Sequence, residues 1–341
     1  MSDPSVAVVI LNWNGKDLLS RFLPGVVKSK YANLQVIVGD NASTDDSVAF
    51  VRLNFPEVTI IENDRNYGFA EGYNRILDQV TAKYYILLNS DVEVPANWIS
   101  PVIALMEADE MIAAAQPKIK WQLDKSKFEY AGAAGGFLDI NAFPFCRGRI
   151  FDIIESDLGQ YNDVREVFWA SGAAFFIKSA IWKKTGGLDP DLFAHMEEID
   201  LCWTIHRMGH SIQYVPNSII YHVGGATLNK ANPKKTFLNF RNSLWMLQKH
   251  LPKNKLAGIL FIRMCLDALA AIHYLSQGQV KHFAAVFNAH LSFYFNGKNK
   301  GKRKALSHLP FFYSDTNLVM KRSIIFEYYL KGKKTYASLF K

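Results

Sequence analysis

The sequence predicts an α/β fold organised around a parallel sheet, and two observations support this prediction. In the N-terminal part of the chain, short apolar runs rich in valine and isoleucine alternate with longer stretches that fit helices. The run 84–88 is continuously apolar, which is typical of a strand buried on both faces of a sheet. Strands and helices at this spacing indicate βαβ units, whose strands run parallel.

Local signals delimit each of these elements. The run 84–88 carries no charged residue and stops at Asn89, Ser90 and Asp91. Ser43 or Thr44 can cap the helix after the second strand, because a side-chain oxygen there accepts from the free N–H groups of a helix start. The predicted strands are 6–11, 34–39, 58–62 and 84–88. The predicted connecting helices are 16–23, 45–54 and 69–80.

The middle of the chain carries further elements around one long segment. Residues 120–160 are rich in glycine and aromatic residues. We interpret them as irregular and as a candidate mobile lid, because long loops in compact domains are usually functional or disordered. The predicted elements are a helix from Pro95 to about 108, a strand at 113–119, a strand within 167–177, helices at 181–185 and 200–208, and strands at 210–215 and 219–222.

Polar clusters follow the predicted parallel strands directly, at 12–15, 40–45, 63–68 and 89–93. Because the carboxyl ends of parallel strands share one edge of a sheet, we expect these clusters to be neighbours in a polar, partly acidic crevice. The first strand is not followed by GxGxxG, and the chain contains no GxxxxGK[ST]. These absences argue against a dinucleotide-binding fingerprint and a P-loop.

The last of these clusters suggests a metal site. Asp91 and Glu93 lie two residues apart, and Asn89 lies two residues before Asp91. Alternate residues of an extended segment face the same way, so three oxygen-bearing side chains can converge. Mg²⁺ and Mn²⁺ prefer such ligands. We therefore predict a Mg²⁺ or Mn²⁺ site here; the alternative is a polar loop in which Asp91 serves as a cap.

A second acidic cluster lies within 188–200, where Glu197 and Glu198 precede a helical stretch. Acids near a helix N-terminus are favoured by the helix dipole, which is the structural alternative. With Asp189 and Asp191 close by, the cluster exceeds what capping requires, so one carboxylate is a candidate general base. His222, at a strand end, is either a satisfied polar residue or a ligand.

Composition limits the class of protein. The 341 residues are 49% hydrophobic, enough for a sizeable core and more than one domain. A formal charge of +8 suggests an anionic partner such as nucleic acid, lipid or a phosphorylated substrate. Three cysteines without a CxxC argue against a disulfide framework. The N-terminus lacks a basic segment followed by a long apolar one, so we expect no signal peptide and a cytoplasmic protein.

Seven segments, taken together, resemble glycosyltransferase family 2, in the branch of bacterial rhamnosyltransferase-like enzymes. They occur in the family's order: VVILNWNG (8–15), VGDNASTDDS (38–47), NDRNYGFAEGYN (63–74), ILLNSDVEV (86–94), ASGAAFFI (170–177), GGLDPDLFAHMEEIDLCW (186–203) and YHVGGAT (221–227). The resemblance implies a GT-A fold over residues 1–228, with a nucleotide-binding half at 1–115 and an acceptor-binding half at 116–228. Residues 229–341 would form a helical, membrane-associated C-terminal region.

The resemblance also assigns roles to residues. Asp40 would contact the nucleotide base, Asp91 would bind a divalent metal on the diphosphate, and His222 would be a further metal or diphosphate ligand. Glu198, or else Glu197, would be the catalytic base. The remaining donor-binding residues would be Asn12, Asn14, Asn41, Ser43, Asn66, Gly68, Phe69, Asn74, Asn89 and Ser90. The acceptor-binding residues would be Trp169, Ser171 and Gly172.

Two positions depart from the family's pattern. The acidic pair is Glu-Glu where the family usually has Glu-Asp, which leaves the choice between Glu197 and Glu198 open. Thr204 stands where the family often has an arginine after the Cys-Trp pair, and Arg207 is a candidate substitute.

The implied reaction is an inverting transfer from a nucleotide sugar to a hydroxyl group in cell-surface polysaccharide or lipid-linked glycan synthesis. An ionised Asp40 only accepts hydrogen bonds, which suits the imide N–H of uracil or thymine and favours a UDP- or dTDP-sugar. The alternative is a nucleotide-sugar-binding protein or nucleotidyltransferase of the same fold. A glycoside hydrolase would need no metal-binding strand end. A nucleic-acid partner is not expected, because the basic residues cluster in the tail.

The C-terminal third changes in composition and predicts three helices. They are 236–250, which contains Arg241 and Asn242, then 256–275 and 279–295. Arg263 and Asp267 lie four apart on one helix face and can pair. We interpret the last two helices as amphipathic, either lying on a membrane or packing in a soluble bundle, rather than spanning a bilayer. With the basic run 298–304, they predict peripheral contact with the inner face of the cytoplasmic membrane through 256–304.

Overall fold

Four parallel strands form one half of the main sheet in the computed structural model, which describes residues 3–224, 232–295, 306, 308–310 and 316–340. They lie in the order β4-β1-β2-β3. Their bounds are β1 Val6–Asn12, β2 Leu34–Asp40, β3 Thr59–Glu62 and β4 Tyr84–Leu88, joined by helices α1 Lys16–Val27, α2 Ser47–Asn54 and α3 Gly68–Leu77. The predicted βαβ arrangement is confirmed.

The other half of the main sheet is mixed. Strand β13 (Ala174–Lys178) runs antiparallel to β4, and it is followed by β6 (Ile112–Trp121) and β14 (Ser211–His222), which are parallel to each other. The remaining strands are β5 Val92–Glu93, paired with β14, and β12 Arg165–Glu166 at the edge. Buried apolar residues pack on both faces. The helices are α4 Ser100–Ala108, α5 Ser179–Thr185 and α6 Glu197–Arg207.

The prediction that 120–160 is an irregular, lid-like segment is wrong. The segment contains short strands, and in the described residues four of them join a strand from near the C-terminus in a second, five-stranded sheet, in the order β11-β10-β9-β8-β15. Gly132, Gly135 and Gly148 have positive φ at its turns, so the frequent glycines mark tight turns instead of disorder. The bounds are β7 Asp124–Phe128 (on the main sheet), β8 Gly136–Asp139, β9 Pro144–Cys146, β10 Arg149–Ile150, β11 Ile153–Ile154 and β15 Val319–Met320.

The C-terminal region is helical, as predicted. Arg263 and Asp267 form the predicted pair, with 3.8 Å between Nε and Oδ1, and both are buried. Strand β15 hydrogen-bonds to β8, so this region adds to the second sheet; the division of the chain at residue 228 stays a prediction. The basic run 298–304 lies outside the described residues. The helices are α7 Pro233–His250, α8 Lys253–Ser276, α9 Val280–Phe295, α10 Ile324–Tyr329 and α11 Tyr336–Leu339.

One helix in the described part of the chain, α8, is long and apolar enough to cross a bilayer by length and composition. Its side chains include the buried charges of Arg263 and Asp267. The three cysteines are free thiols, as expected.

Candidate active site

The carboxyl ends of β1 and β2 are tied together by polar side chains. The Asn12 amide donates to Asp40 Oδ1 (2.9 Å) and to the hydroxyl oxygens of Ser43 (3.1 Å) and Ser47 (2.9 Å). The Ser43 N–H donates to Asp40 Oδ2 at 2.8 Å. Asp40 therefore closes its own loop, as in an Asx turn. Its Oδ2 has one described partner, which leaves acceptor capacity because a carboxylate has about four lone-pair sites.

Two asparagines shape the neighbouring loops. Asn14, at φ 51°, accepts from the Thr44 N–H at 2.7 Å. The Asn41 amide donates to Asn66 Oδ1 (3.0 Å) and to the Gly68 carbonyl (2.9 Å), and so joins the end of β2 to the start of α3. Asn14, Asn41 and Asn66 therefore stabilise the loops at the edge of the crevice through these hydrogen bonds.

Asp91 and His222 meet because β5 pairs antiparallel with β14. That pairing sets His222 opposite Val92, next to Asp91. His222 Nε2 lies 3.1 Å from Asp91 Oδ1, and its Nδ1 lies 3.5 Å from Glu129 Oε2. Asp91, His222 and Glu129 are 3%, 5% and 2% exposed. The Asn89 amide lies 3.5 Å from His222 Nε2, and Ser90 sits at the same edge of the sheet.

The charges of these groups stabilise one another. Burial acts to lower the pKa of His222, but its hydrogen bond to Asp91 and the nearby carboxylates of Glu129 and Asp91 outweigh burial and raise the pKa to about 10. Burial acts to raise the pKa of Asp91, but the hydrogen bond and charge of His222 lower it overall. Asp91 is therefore a carboxylate at neutral pH.

Glu93 does not join this group. Its carboxylate lies 2.5 Å from the Lys125 ammonium and accepts from the Gln122 amide at 3.3 Å. The prediction that Glu93 would converge with Asp91 therefore disagrees with the side-chain geometry. Residues 89–91 form a turn and not an extended strand, so the alternation rule does not apply across them.

The donor types fit a hard divalent ion, with two carboxylates and one imidazole close together. Among the described residues, however, no three His, Cys, Asp or Glu side chains surround a single point in a metal-binding arrangement. Mg²⁺ is usually held by one or two carboxylates together with substrate phosphates and water. Asp91 and His222 meet that smaller requirement.

The acidic pair opens helix α6. Glu197 is buried and Glu198 is partly buried, and the Oε2 atom of each has no hydrogen-bond partner within the described chain. Burial raises the pKa of Glu198 to about 7. Burial, and then the negative charge of Glu198, raise the pKa of Glu197 well above its usual range. Buried polar atoms without partners are rare in proteins and point to a ligand or water.

The other acids of this segment have structural partners. Asp200 Oδ2 lies 2.5 Å from Lys249 Nζ, and Asp200 Oδ1 lies 2.8 Å from His250 Nε2. Asp189 accepts from the Asp191 N–H at 3.1 Å and lies 3.4 Å from Lys249. Arg207, the candidate substitute for the missing arginine, is buried and donates to backbone carbonyls of Leu309 and Pro310. Glu197 and Glu198 are therefore the candidates for a reactive carboxylate.

The loop before the acidic pair is attached to the start of α3. The Phe193 carbonyl accepts from the Phe69 N–H (2.8 Å) and the Ala70 N–H (3.2 Å). Gly68 has φ 79°, and a Cβ built on it would lie 2.5 Å from the Phe193 ring. A side chain at position 68 would therefore separate the predicted donor-binding residues from the acidic pair.

Of the remaining predicted residues, two approach each other across the site, and the others hydrogen-bond to the backbone of neighbouring segments. Phe69 Cζ lies 3.5 Å from a Cβ built on Gly172, so a predicted donor residue meets a predicted acceptor residue. Ser171 donates to the Ala131 carbonyl at 3.0 Å, and Trp169 donates to the Phe137 carbonyl at 3.1 Å. Asn74 exchanges two hydrogen bonds with the Leu188 backbone, at 2.8 and 2.9 Å, which makes it a support.

Two residues near the site were not predicted. Glu129 lies in the segment interpreted as irregular, so no strand end marked it. Asn242 was noted only as part of a helix, and its contacts to the loop before Glu197 depend on tertiary packing. Two cavities in the described part of the chain lie outside this group of residues; one is lined by Lys118, Asp157 and Asn162, and the other by Asp189, Asp200 and Lys249.

Comparisons with known proteins give the family and the fold of the chain. The sequence model of the family described as "Glycosyltransferase like family 2" matches residues 4–239. The N-acetylglucosaminyl-diphospho-decaprenol L-rhamnosyltransferase of Mycobacterium tuberculosis is 23% identical over 245 residues, which are 63% of this chain and 75% of that protein.

Two solved structures are similar in fold. GalNAc-T7 with UDP, GalNAc and Mn²⁺ has a TM-score of 0.56 at 17% identity, covering 72% of this chain and 49% of its own, so the chain spans about half of that protein. The mannosyltransferase PcManGT of Pyrobaculum calidifontis, with GDP-Man and Mn²⁺, has a TM-score of 0.52 at 15% identity, covering 87% of this chain and 90% of its own. The predicted GT-A fold with C-terminal helices is confirmed.

Proposed function

The chain belongs to glycosyltransferase family 2, and from this premise we propose that it is a metal-dependent inverting transferase. It would move a sugar from a UDP- or dTDP-sugar to a hydroxyl group in the synthesis of a cell-surface polysaccharide or lipid-linked glycan. One observation carries the proposal. The Asp91–His222 pair lies at the carboxyl edge of the sheet, and the loop before Glu197 and Glu198 is bonded to helix α3, which starts at the same edge.

Asp91 and His222 would hold Mg²⁺ or Mn²⁺. The Mn²⁺ in both similar structures supports this part of the proposal. When bound, the ion would stabilise the negative charge that develops on the departing nucleotide diphosphate. Glu129 would accept the Nδ1–H of His222 and fix the ring so that Nε2 faces the site, since an outer carboxylate commonly orients a ligand histidine.

Glu198 would be the general base. The acceptor hydroxyl oxygen forms a bond to the anomeric carbon, the bond from that carbon to the diphosphate oxygen breaks, and the hydroxyl proton passes to the Glu198 carboxylate. A pKa near 7 suits this task, because a base works best when its pKa lies near the operating pH. Glu197 is the weaker candidate, because burial and then the charge of Glu198 favour its protonated form.

The donor would bind along the loops that follow β1, β2 and β4. Asp40 would read the base through its remaining acceptor capacity, which supports uracil or thymine. Gly68 and Phe69 would face the sugar side, where Phe69 approaches Gly172 of the acceptor half. Asn12, Ser43, Asn41 and Asn66 would hold the loop shapes.

The acceptor would be lipid-linked, and the protein would act at the cytoplasmic face of a membrane. The similarity to a rhamnosyltransferase named for a diphospho-decaprenol substrate supports this choice. The outer faces of α8 and α9 also support it, because they expose large apolar side chains such as Phe261 (67%) and Phe287 (59%). The other large exposed ones are Ile262, Met264, Leu269, Ile272, Leu275, Val280, Leu291, Tyr294 and Phe295.

The charged residues of α8 and α9 favour contact of this face with a bilayer that has anionic headgroups. The one acid in residues 253–295 is Asp267, and it is 1% exposed. Lys253 and Lys281 are exposed at the starts of α8 and α9. A face with apolar centre and basic margin is typical of a helix lying in the membrane interface. Arg263 and Asp267 stay buried on the inner side, which supports an in-plane orientation over a spanning one.

A thermal-shift screen of nucleotide sugars with Mn²⁺ tests the donor. A bound donor stabilises the fold by RT ln(1 + [L]/Kd), so the true donor should raise the melting temperature most. Release of UDP or dTDP on addition of a polyprenyl-diphosphate acceptor then tests transfer. Binding without nucleotide release would favour a nucleotide-sugar-binding protein instead.

A further inference from the structure

The loop that leads into the acidic pair has an unusual backbone. Phe193, His195 and Met196 have φ of 64°, 69° and 72°. Residues other than glycine rarely adopt positive φ, and each such residue costs about 1–3 kcal/mol unless the surroundings impose it. Such a loop needs partners that hold it, and those partners are visible on both of its sides.

Helix α7 supplies the first partner, Asn242, which is fully buried. Its amide nitrogen donates to the carbonyls of Leu192 (2.9 Å), Ala194 (2.9 Å) and His195 (2.7 Å). The amide nitrogen of one asparagine thus lies within hydrogen-bond distance of three carbonyl oxygens of the strained loop. No other residue type of similar size offers two amide N–H donors on a short stem.

Arg241 fixes the orientation of this amide. Its Nε and Nη2 donate to Asn242 Oδ1 at 2.9 and 2.7 Å, which turns the NH₂ end toward the loop. Arg241 Nη2 also donates to the carbonyls of Asp191 and Leu192, each at 3.2 Å. The Arg241–Asn242 pair therefore binds four carbonyl groups between residues 191 and 195.

Helix α3 holds the loop from the other side through the Phe193 carbonyl. The Oε2 atoms of the two carboxylates that follow lack hydrogen-bond partners in the described chain. Because Glu197 opens helix α6 directly after this loop, the loop backbone sets where the two carboxylates lie.

We propose that Asn242, oriented by Arg241, is a positioning residue that fixes loop 191–196 and so aims the acidic pair at the reacting hydroxyl group. The C-terminal helical region then completes the active site in addition to facing the membrane. This inference rests on the proposed function for its catalytic consequence, but its structural part does not.

The test compares Asn242→Ala with Asn239→Ala. Asn239 lies on the same helix and donates only within it in the described bonds, to the Lys235 carbonyl at 3.0 Å, so its loss should not reach the loop. Hydrogen exchange of the peptide spanning 189–198 is measured without substrate. We expect faster exchange there in Asn242→Ala, with strands β1 and β4 unchanged, and wild-type exchange in Asn239→Ala.

Kinetics complete the test. A displacement of about 1 Å at a reacting group can cost about 10²-fold, so we expect kcat to fall by about that factor while the donor KM changes far less. Arg241→Lys should show a smaller effect in the same direction, and it replaces Asn242→Ala if that variant does not fold. Two results for Asn242→Ala would overturn the inference: hydrogen exchange in the loop at the wild-type rate, or a wild-type kcat together with faster exchange in the loop. A wild-type protein without transferase activity would instead count against the proposed function, and the exchange result would still stand.

Discussion

His222 Nε2 lies 3.1 Å from Asp91 Oδ1, although the two residues are 131 positions apart in the chain. The short antiparallel pairing of β5 with β14 brings them together. Glu129 stands behind the imidazole ring and completes a buried row of carboxylate, imidazole and carboxylate. This pairing explains how an aspartate at the end of β4 comes to lie beside a histidine far along the chain.

Asp91→Asn should abolish Mn²⁺-dependent donor binding, because the amide that replaces the carboxylate carries no charge for the ion. Isothermal titration with the nucleotide sugar, with and without Mn²⁺, measures this effect. Glu93→Gln is the matched control, since Glu93 pairs with Lys125 and not with His222. Equal loss of metal dependence in both variants would contradict the assignment.

Glu129→Gln should weaken Mn²⁺ binding by about 10–100-fold, the usual effect of removing the carboxylate behind a ligand histidine. The amide keeps the size of the side chain but accepts the Nδ1–H less strongly. Mn²⁺ titration followed by electron paramagnetic resonance measures the affinity without turnover. Wild-type affinity would remove Glu129 from the metal site.

Glu198→Gln should lower kcat by about 10²–10⁴-fold, the range that a positioned base supplies, while donor binding stays near wild type. Glu197→Gln should lower kcat by a smaller factor. Nucleotide release under saturating donor measures kcat, and calorimetry measures binding. The reverse order of the two losses would identify Glu197 as the base.

The raised pKa of Glu198 also predicts a pH dependence. A base must be ionised to work, so kcat should fall as the pH drops below about 7. Stability has the opposite trend. The pKa of Glu198 is 4.5 in the unfolded chain, and burial raises it to about 7 in the folded protein. Folding therefore favours the protonated carboxyl group. The stability that this group contributes is lost as the pH rises from about 4.5 through about 7.

Glu198→Gln mimics the protonated carboxyl, so this variant should melt at a higher temperature than wild type at pH 8 and at nearly the same temperature at pH 4. Differential scanning calorimetry at the two pH values measures the difference. A melting temperature below wild type at pH 8 would show that the carboxylate is not destabilised by its surroundings.

Membrane contact should depend on the exposed face of α8 and α9. The double variant Phe261→Ser, Phe287→Ser should sediment less with anionic vesicles, because both side chains are mostly exposed in the free protein. Leu158→Ser, which removes an exposed leucine outside these helices, should behave as wild type. If the wild-type protein self-associates but does not bind vesicles, and the double variant does not self-associate, the face contacts a second copy of the chain instead of a membrane.

Much of the fold was predictable because its signals are local. The runs that became β1, β2 and β4 are mostly buried, and their polar ends mark the sheet edge where Asp40 and Asp91 lie. Glu197 and Glu198 were found from an excess of acids at a helix start, which is also a local pattern. These residues could be found without knowing what packs against them.

The rest depended on tertiary contacts. The glycine-rich segment 120–160 looked irregular because its strands are two to five residues long and pair with each other and with β15, far along the chain. Glu129 was missed with it. Glu93 was included because the alternation rule was applied across the turn at 89–91. The proposed role of Asn242 depends on carbonyl groups about 50 residues away, which no spacing pattern indicates.

Donor binding and transfer measured on the same Glu198→Gln protein separate the role of the metal from that of the base. We expect tight binding of a UDP- or dTDP-sugar that requires Mn²⁺, together with nearly complete loss of nucleotide release in the presence of acceptor. Donor binding that does not depend on Mn²⁺, or release at the wild-type rate, would contradict the proposed function.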